Sequence, residues 1–355
     1  LLLSTFAQDG AFVTTWNTEN AGSATKTIVI PTSSSGVYSC TVDWGDGKTD
    51  YMTTYNSASW THVYTNTGTY TVKIYGRFSG IFFNNAGDRL KILTVEKWGH
   101  DFRLGVSQGS YFSGCANLTI KATGILNLLG TTSLASAFNG CTSMITIPTI
   151  NSWDTGNITS MASMFKGCTV YNQNLSEFKS LKVTSMSEMF SGCSAFNGSV
   201  SGLNTALVTN MSSMFSGCTV FNQPISGFNT SNVTLTSSMF LNCIAFNQGV
   251  NTFDTAKVTS MASMFNGCTS FNQDVSNFNI AKLTTAANMF SGSGFSQTQY
   301  VKLLHLFTGW PSQSTILSSF SFSAGTAKYT TGSSSAGRTF LISTKLWTIT
   351  DGGLA

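Results

Sequence analysis

Met214-Phe215-Ser216-Gly217-Cys218 is one of five such strings set twenty-five residues apart; the others are Met164-Phe165-Lys166-Gly167-Cys168, Met189-Phe190-Ser191-Gly192-Cys193, Met239-Phe240-Leu241-Asn242-Cys243 and Met264-Phe265-Asn266-Gly267-Cys268. Degenerate copies flank them: Tyr111-Phe112-Ser113-Gly114-Cys115, Ala137-Phe138-Asn139-Gly140-Cys141, and Met289-Phe290-Ser291-Gly292 followed by Ser293. A fixed period of this length is the signature of a stacked solenoid in which each repeat is one rung. The spacing predicts about eight rungs across residues 89–294. Binding or scaffolding therefore comes ahead of catalysis.

Within one copy, Met211, Met214, Phe215 and Cys218 stand at i, i+3, i+4 and i+7, which predicts one face of a short helix. Thr209 or Asn210 is placed to cap it, and Gly217 to end it in the left-handed region. Phe221, Ile225 and Phe228 follow as inward anchors, and Val208 closes the turn before the helix. The same phases return as Phe246, Val250, Phe253 and Val258, then as Phe271, Val275, Phe278 and Leu283.

Seven of the eight cysteines share one repeat position: Cys115, Cys141, Cys168, Cys193, Cys218, Cys243 and Cys268. One phase and an odd number predict a ladder of small, buried, reduced side chains. Ser293 at the next place in the series argues that size matters there more than bonding. Pairing between adjacent rungs stays geometrically open, because a strand-like rise falls inside the disulfide Cα range. Asn172, Asn197, Asn222, Asn247 and Asn272 form a second column, each following an aromatic position. A structural ladder bonding the backbone of neighbouring turns is preferred there over a carbohydrate-binding row, because binding residues usually vary from rung to rung.

Ahead of the repeats, residues 10–77 carry strand-like runs at Thr27–Ile30, Tyr38–Val42 and Tyr70–Ile74, separated by Ser/Gly turns. Asp43-Trp44-Gly45-Asp46-Gly47 predicts a tight hairpin tip. With Thr61-His62-Val63-Tyr64 and Gly68-Thr69-Tyr70-Thr71-Val72, this turn closely resembles the PKD-type domain. The resemblance implies an immunoglobulin-like β-sandwich. Asp43, Asp46 and Asp50 are read as a solvated, self-capping turn in preference to a weak calcium site. His62 is expected to be structural, and His100 and His305 lie far from it, so no metal or cofactor site is expected.

The repeat strings, with the lead-ins Asn157-Ile158-Thr159-Ser160-Met161, Asn210-Met211 and Asn232-Val233-Thr234, are similar to BspA-like leucine-rich-repeat surface proteins and to the repeats of mycoplasma lipoproteins. That resemblance implies a right-handed leucine-rich-repeat solenoid on a cell or particle surface, used in some members for adhesion. It carries over no binding residue. The expected organisation is an N-terminal segment 1–9, the PKD-like β-sandwich 10–77, a connecting hairpin or linker 78–88, the solenoid 89–294 and an α/β capping region 295–355. Leu90–Val95 is the expected opening strand, laid on the first domain through Phe82 and Phe83. In the last region a helix is expected at Gln299–Phe307, a strand at Ser319–Phe322, a helix at Ala336–Ile342 and an extended end at Leu346–Gly353.

Only 9% of the residues are charged, against about 25% in ordinary soluble domains. Ser, Thr, Asn and Gly take the place of charge, which fits an extracellular, cell-surface or particle-surface protein. The net charge of +4 is scattered, and no basic block or aromatic-plus-Arg stripe suggests a nucleic-acid partner. No apolar run is long enough to span a bilayer, and Leu1-Leu2-Leu3 lacks the flank and length of a signal-peptide core. With fourteen Asp plus Glu, three scattered His and no nucleophile elbow, P-loop or zinc motif, no enzymatic activity is expected. The expected partner is a protein or glycan surface ligand; copies of the chain itself, in a filament, sheath, fibre or virion decoration, are the alternative.

Overall fold

The structure, a computed structural model, describes residues 10–305, 308–313, 316, 318–319 and 321–355. The expected N-terminal segment 1–9, together with Leu306, Phe307 and Phe320, lies outside the described residues. Two compact units divide the chain inside the repeats, one reaching residue 173 and including 177–182, the other comprising 174–176 and everything from 183 onward.

In the first unit, β1 (Phe12–Asn17), β2 (Thr27–Val29), β3 (Thr32–Asp43), β4 (Thr49–Met52), β5 (Thr61–Val63) and β6 (Thr69–Ile81) form an antiparallel β domain. Their alternation puts Phe12, Trp16, Val42, Val72, Ile74 and Phe78 on the buried side. β6 runs on past residue 77, so residues 78–81 are strand. Next come β7 (Ile92–Lys97), β8 (Phe102–Arg103) and β9 (Thr119–Ile120). Among the described residues the main sheet has seven strands in the order β4-β3-β6-β1-β7-β9, with β8 paired to the end of β6. β2 and β5 make a separate two-stranded pair. β7 faces two ways, antiparallel to β1 and parallel to β9, so it closes the domain and opens the repeats. Phe83 is buried, its ring 5.9 Å from Trp16 and 6.0 Å from Phe112, whereas Phe82 is half-buried.

A buried ion pair ties the β1–β2 loop down. Lys91 and Asp88 are both fully buried, with Nζ 3.9 Å from Oδ1. The ammonium donates to the carbonyls of Ser23, Ala24 and Thr27 and to Ser23 Oγ, at 2.8–3.0 Å. Asp88 accepts from the Ser23 hydroxyl and from the Ser23 and Val29 amides. Both charges thus keep the hydrogen bonds that burial would otherwise remove.

The repeats hold their period in the structure but not the expected helix. Met211, Met214, Phe215 and Cys218 are all fully buried, while Ser212, Ser213, Ser216 and Gly217 are half-buried. Yet residues 212–217 are consecutive turns. Ser213 sits at φ 55°, a left-handed value that breaks a right-handed helix in its first turn. The amides of Met214, Ser216 and Cys218 donate back three residues, to Met211, Ser213 and Phe215. Those in between go elsewhere: Met211, Ser213, Phe215 and Gly217 donate to Leu235, Ser237, Met239 and Leu241 of the following repeat, at 2.7–2.9 Å. Every second donor therefore bonds the neighbour, which an α-helix, closing its donors on itself, cannot do. Within the first unit the pattern recurs, with Ser136, Phe138 and Gly140 donating to Ala162, Met164 and Lys166. Parallel bridges Asn210–Leu235, Leu235–Ser260 and Ser260–Thr285 follow the same line.

The buried phenylalanines stack along this direction. Ring centroids of Phe190, Phe215, Phe240, Phe265 and Phe290 follow one another at 5.6–5.7 Å, with nearly parallel planes. Phe196, Phe221, Phe246 and Phe271 form a second stack at 5.8–6.1 Å. Beyond the last repeat come α1 (Gln297–Leu304), β10 (Ser321–Ser323), α2 (Ser333–Ser343) and β11 (Thr348–Thr350). α1 starts two residues before its expected first residue and has ended by His305, and α2 is longer than expected at both ends. Phe290 donates to the Ser323 carbonyl, so β10 takes the bond a further repeat would have taken, and β11 pairs parallel to β10.

Candidate functional site

The repeat columns differ sharply in what they expose. Cys115, Cys141, Cys168, Cys193, Cys218, Cys243 and Cys268 are fully buried thiols outside any disulfide, and Cys40 is a buried thiol of the β domain. Burial pushes the Cys168 and Cys268 thiols up to about 12, and Cys141, Cys218 and Cys243 well above the ordinary thiol value. Such groups are poor nucleophiles, since the thiolate is the reactive form. They do bond: Cys218, Cys243 and Cys268 donate through Sγ to the carbonyls of Phe190, Phe215 and Phe240, at 2.7–3.0 Å. Ser293 instead donates to Phe290 of its own turn. The position thus supplies a hydrogen bond as well as a small volume.

Asn172, Asn197, Asn222, Asn247 and Asn272 are exposed, so the column is a surface feature and not a buried one. Asn197 Oδ1 accepts from the Asn222 amide at 2.9 Å, Asn222 from Asn247 at 3.0 Å and Asn247 from Asn272 at 2.9 Å. Gln223, Gln248 and Gln273 donate to the same oxygens. The Asn carbonyl oxygens are occupied within the ladder.

A third column, of threonines, bonds from repeat to repeat. Thr209, Thr234, Thr259 and Thr284 each donate twice, through the amide and Oγ1, to the carbonyl of the threonine one repeat earlier. Asn210, not Thr209, caps the turn run, its Oδ1 accepting from Ser212. The twenty-five-residue recurrence of Thr was the available signal.

One place at the turn tips varies. The turns Thr205–Val208, Thr230–Val233, Thr255–Val258 and Ile280–Leu283 close with the same hydrogen bond, at 2.9–3.0 Å. Their second tip residues are Leu207, Asn232, Lys257 and Lys282. Leu207 is 49% exposed although it is a large apolar side chain.

In the β domain, Asp43, Trp44, Gly45, Asp46 and Gly47 form the β3–β4 connection, with φ 79° and 87° at the two glycines. Asp43 accepts from the Gly45 amide, Asp46 from the Lys48 amide, and Asp50 from Trp44 Nε1. His62 Nε2 lies 2.9 Å from Asp46 Oδ2, and its ring stacks 4.8 Å from Trp44. Burial alone would raise the Asp46 carboxyl, but the bonds from His62 and the Lys48 amide outweigh it and hold the carboxyl below its usual range. The Tyr64 hydroxyl closes the network on the Trp44 carbonyl at 2.9 Å. Each turn carboxylate is already engaged, and no cluster of three or more His, Cys, Asp or Glu suited to a metal occurs among the described residues. No helix among them is long and apolar enough to cross a membrane.

No curated protein and no solved structure matches the chain. Residues 132–243 and 223–302, which hold the ladders just described, match the family described as a Mycoplasma protein of unknown function, DUF285, and the repeat region is similar to that family.

Proposed function

We propose that the repeats stack as a leucine-rich-repeat-type solenoid, joined to a PKD-like sandwich, in a non-enzymatic surface protein that recognises a protein or a glycan outside the cell. The observation that carries this is the contrast between fixed and free positions. Backbone bonds and buried residues repeat from rung to rung, while the turn tips read Leu207, Asn232, Lys257 and Lys282, of which Leu207, Lys257 and Lys282 are exposed and Asn232 is half-buried. A rigid ladder presenting different side chains at equal intervals suits recognition, as loops on a fixed scaffold do. The nearly uncharged surface and the similarity of the repeat region to a mycoplasma family support a surface location.

The test is a binding screen of the full chain against immobilised glycans and extracellular-matrix proteins, run with the variants L207S, K257Q and K282Q. Binding of one ligand class that these exposed substitutions weaken is the expected result. Light scattering after size exclusion should show a monomer across a concentration series. Absence of any ligand, with concentration-dependent growth into ordered oligomers, would overturn recognition and mark the chain as a structural subunit.

A further inference from the structure

The geometry points to a second binding site on the β domain, a cleft that takes a carboxylate carrying an aliphatic body. Its floor is one lateral row across three strands: Val37 on β3 pairs with Ser79 on β6, and Ser79 pairs with Arg103 on β8. Arg77 lies two residues before Ser79 and so shares its face. The opposite face is core, where Phe78 pairs with Phe102 and both rings are buried. Gly105, Val106, Leu129 and Gly130 supply the other wall of a cleft of about 460 Å³. That volume lies within the range of small-molecule sites, about 300–1,000 Å³.

Two features set the ligand class. Two of the four arginines in the chain, Arg77 and Arg103, line this one cleft. Arg103 is held by its own loop, Nη1 donating to the carbonyls of His100 and Phe102 at 2.7 and 2.8 Å. Asp101 also lines the cleft, its carboxylate 2.9 Å from His100 Nδ1, and the two guanidiniums outnumber this one carboxylate, which gives the cleft its positive character. A planar guanidinium held in place favours a carboxylate, which it can grip with two parallel bonds. The second feature is apolar: Val37, Val106 and Leu129 are 46%, 49% and 76% exposed, and all three border the cleft. Large aliphatic side chains around a cationic floor complement an acid with a branched hydrocarbon body. Such an acid can be free in solution or be the C-terminal residue of a peptide. This site uses different residues from the turn tips and does not depend on the recognition proposed for them.

The experiment is calorimetry on the full chain with 4-methylpentanoate, its neutral amide, and the peptide acetyl-Gly-Gly-Leu with a free or an amidated C-terminus. Variants R77Q and L129S change exposed side chains, and R103Q changes the anchored arginine, with circular dichroism to check folding. The acids should bind, the amides should bind at least about tenfold more weakly, and R77Q should weaken the acids by about tenfold. Equal binding of acid and peptide would identify a free acid as sufficient; tighter peptide binding would identify a C-terminal residue. Amides binding as well as acids, R77Q binding like the parent chain, or no acid binding below about 5 mM would overturn the site.

Discussion

Phe240 gives the sharpest test of how the repeats hold together. Its ring is fully buried and meets three others, Phe215 at 5.6 Å, Phe246 at 4.1 Å and Phe265 at 5.7 Å. A buried phenylalanine removes about 150–250 Å² from water, worth about 4–6 kcal/mol at about 25 cal/mol/Å². Alanine keeps a small part of that, and the ring contacts add about 0.5–1.5 kcal/mol per pair. Truncations of this kind cost about 3–5 kcal/mol in measured proteins, and three stacked neighbours place F240A in the upper half of that range, at about 4 kcal/mol. Leucine fills part of the space, so F240L should cost less, about 1–2 kcal/mol. Guanidinium unfolding followed by circular dichroism reads both. In the proposed solenoid each repeat contacts only its neighbours, so F240A should also open the amides of residues 235–270 to hydrogen exchange ahead of those near Phe190. A loss below about 1.5 kcal/mol for F240A, or uniform exchange along the second unit, would refute the stacked-core reasoning.

Other perturbations follow from single contacts. K91M removes the buried ammonium, leaves Asp88 uncompensated, and should cost about 3–5 kcal/mol in thermal or chemical unfolding; a loss under 1 kcal/mol, on the order of a surface pair, would contradict the described network. Asp351 accepts from Tyr300, Arg338 and the Gly353 amide. Burial would raise its carboxyl, but these bonds outweigh burial and keep it below the usual range. Its folded value is lower than its unfolded one, so its contribution is complete above about pH 4 and fades as pH falls through the folded value. D351N should lose about 1.5–3 kcal/mol at neutral pH and flatten the acid limb of the unfolding curve; an unchanged limb would exclude this carboxylate as its source. S213G relieves a left-handed serine and should leave stability equal or raise it by up to about 1 kcal/mol, whereas S213V at the same φ should clearly destabilise. C218A removes both volume and the bond to Phe190, and should unfold earlier than C218S, which keeps a donor.

The apolar period was legible because burial alone writes it. Met211, Met214, Phe215 and Cys218 point inward whether the backbone is a helix or a chain of turns, so spacing could not separate the two. What decided between them is Ser213, whose left-handed φ is not marked by its residue type, since serine is neither glycine nor asparagine. The Asn column was visible as a column, but its exposure was not, because the oxygens are satisfied at the surface by the next repeat. In the β domain the Asp43–Gly47 turn could be read from its glycines and acids. The arginine-lined cleft could not, since Val37, Ser79, Arg103 and Leu129 meet only through strand pairing and a later loop.

The backbone ladder underlies everything proposed for the repeats, and scalar couplings across hydrogen bonds observe it directly. In a deuterated, isotope-labelled sample, the Phe215 amide nitrogen should couple to the carbonyl carbon of Met239, and Gly217 to that of Leu241, one repeat onward. Coupling of Phe215 to Met211 instead, four residues back, would put a helix at that place and contradict the account.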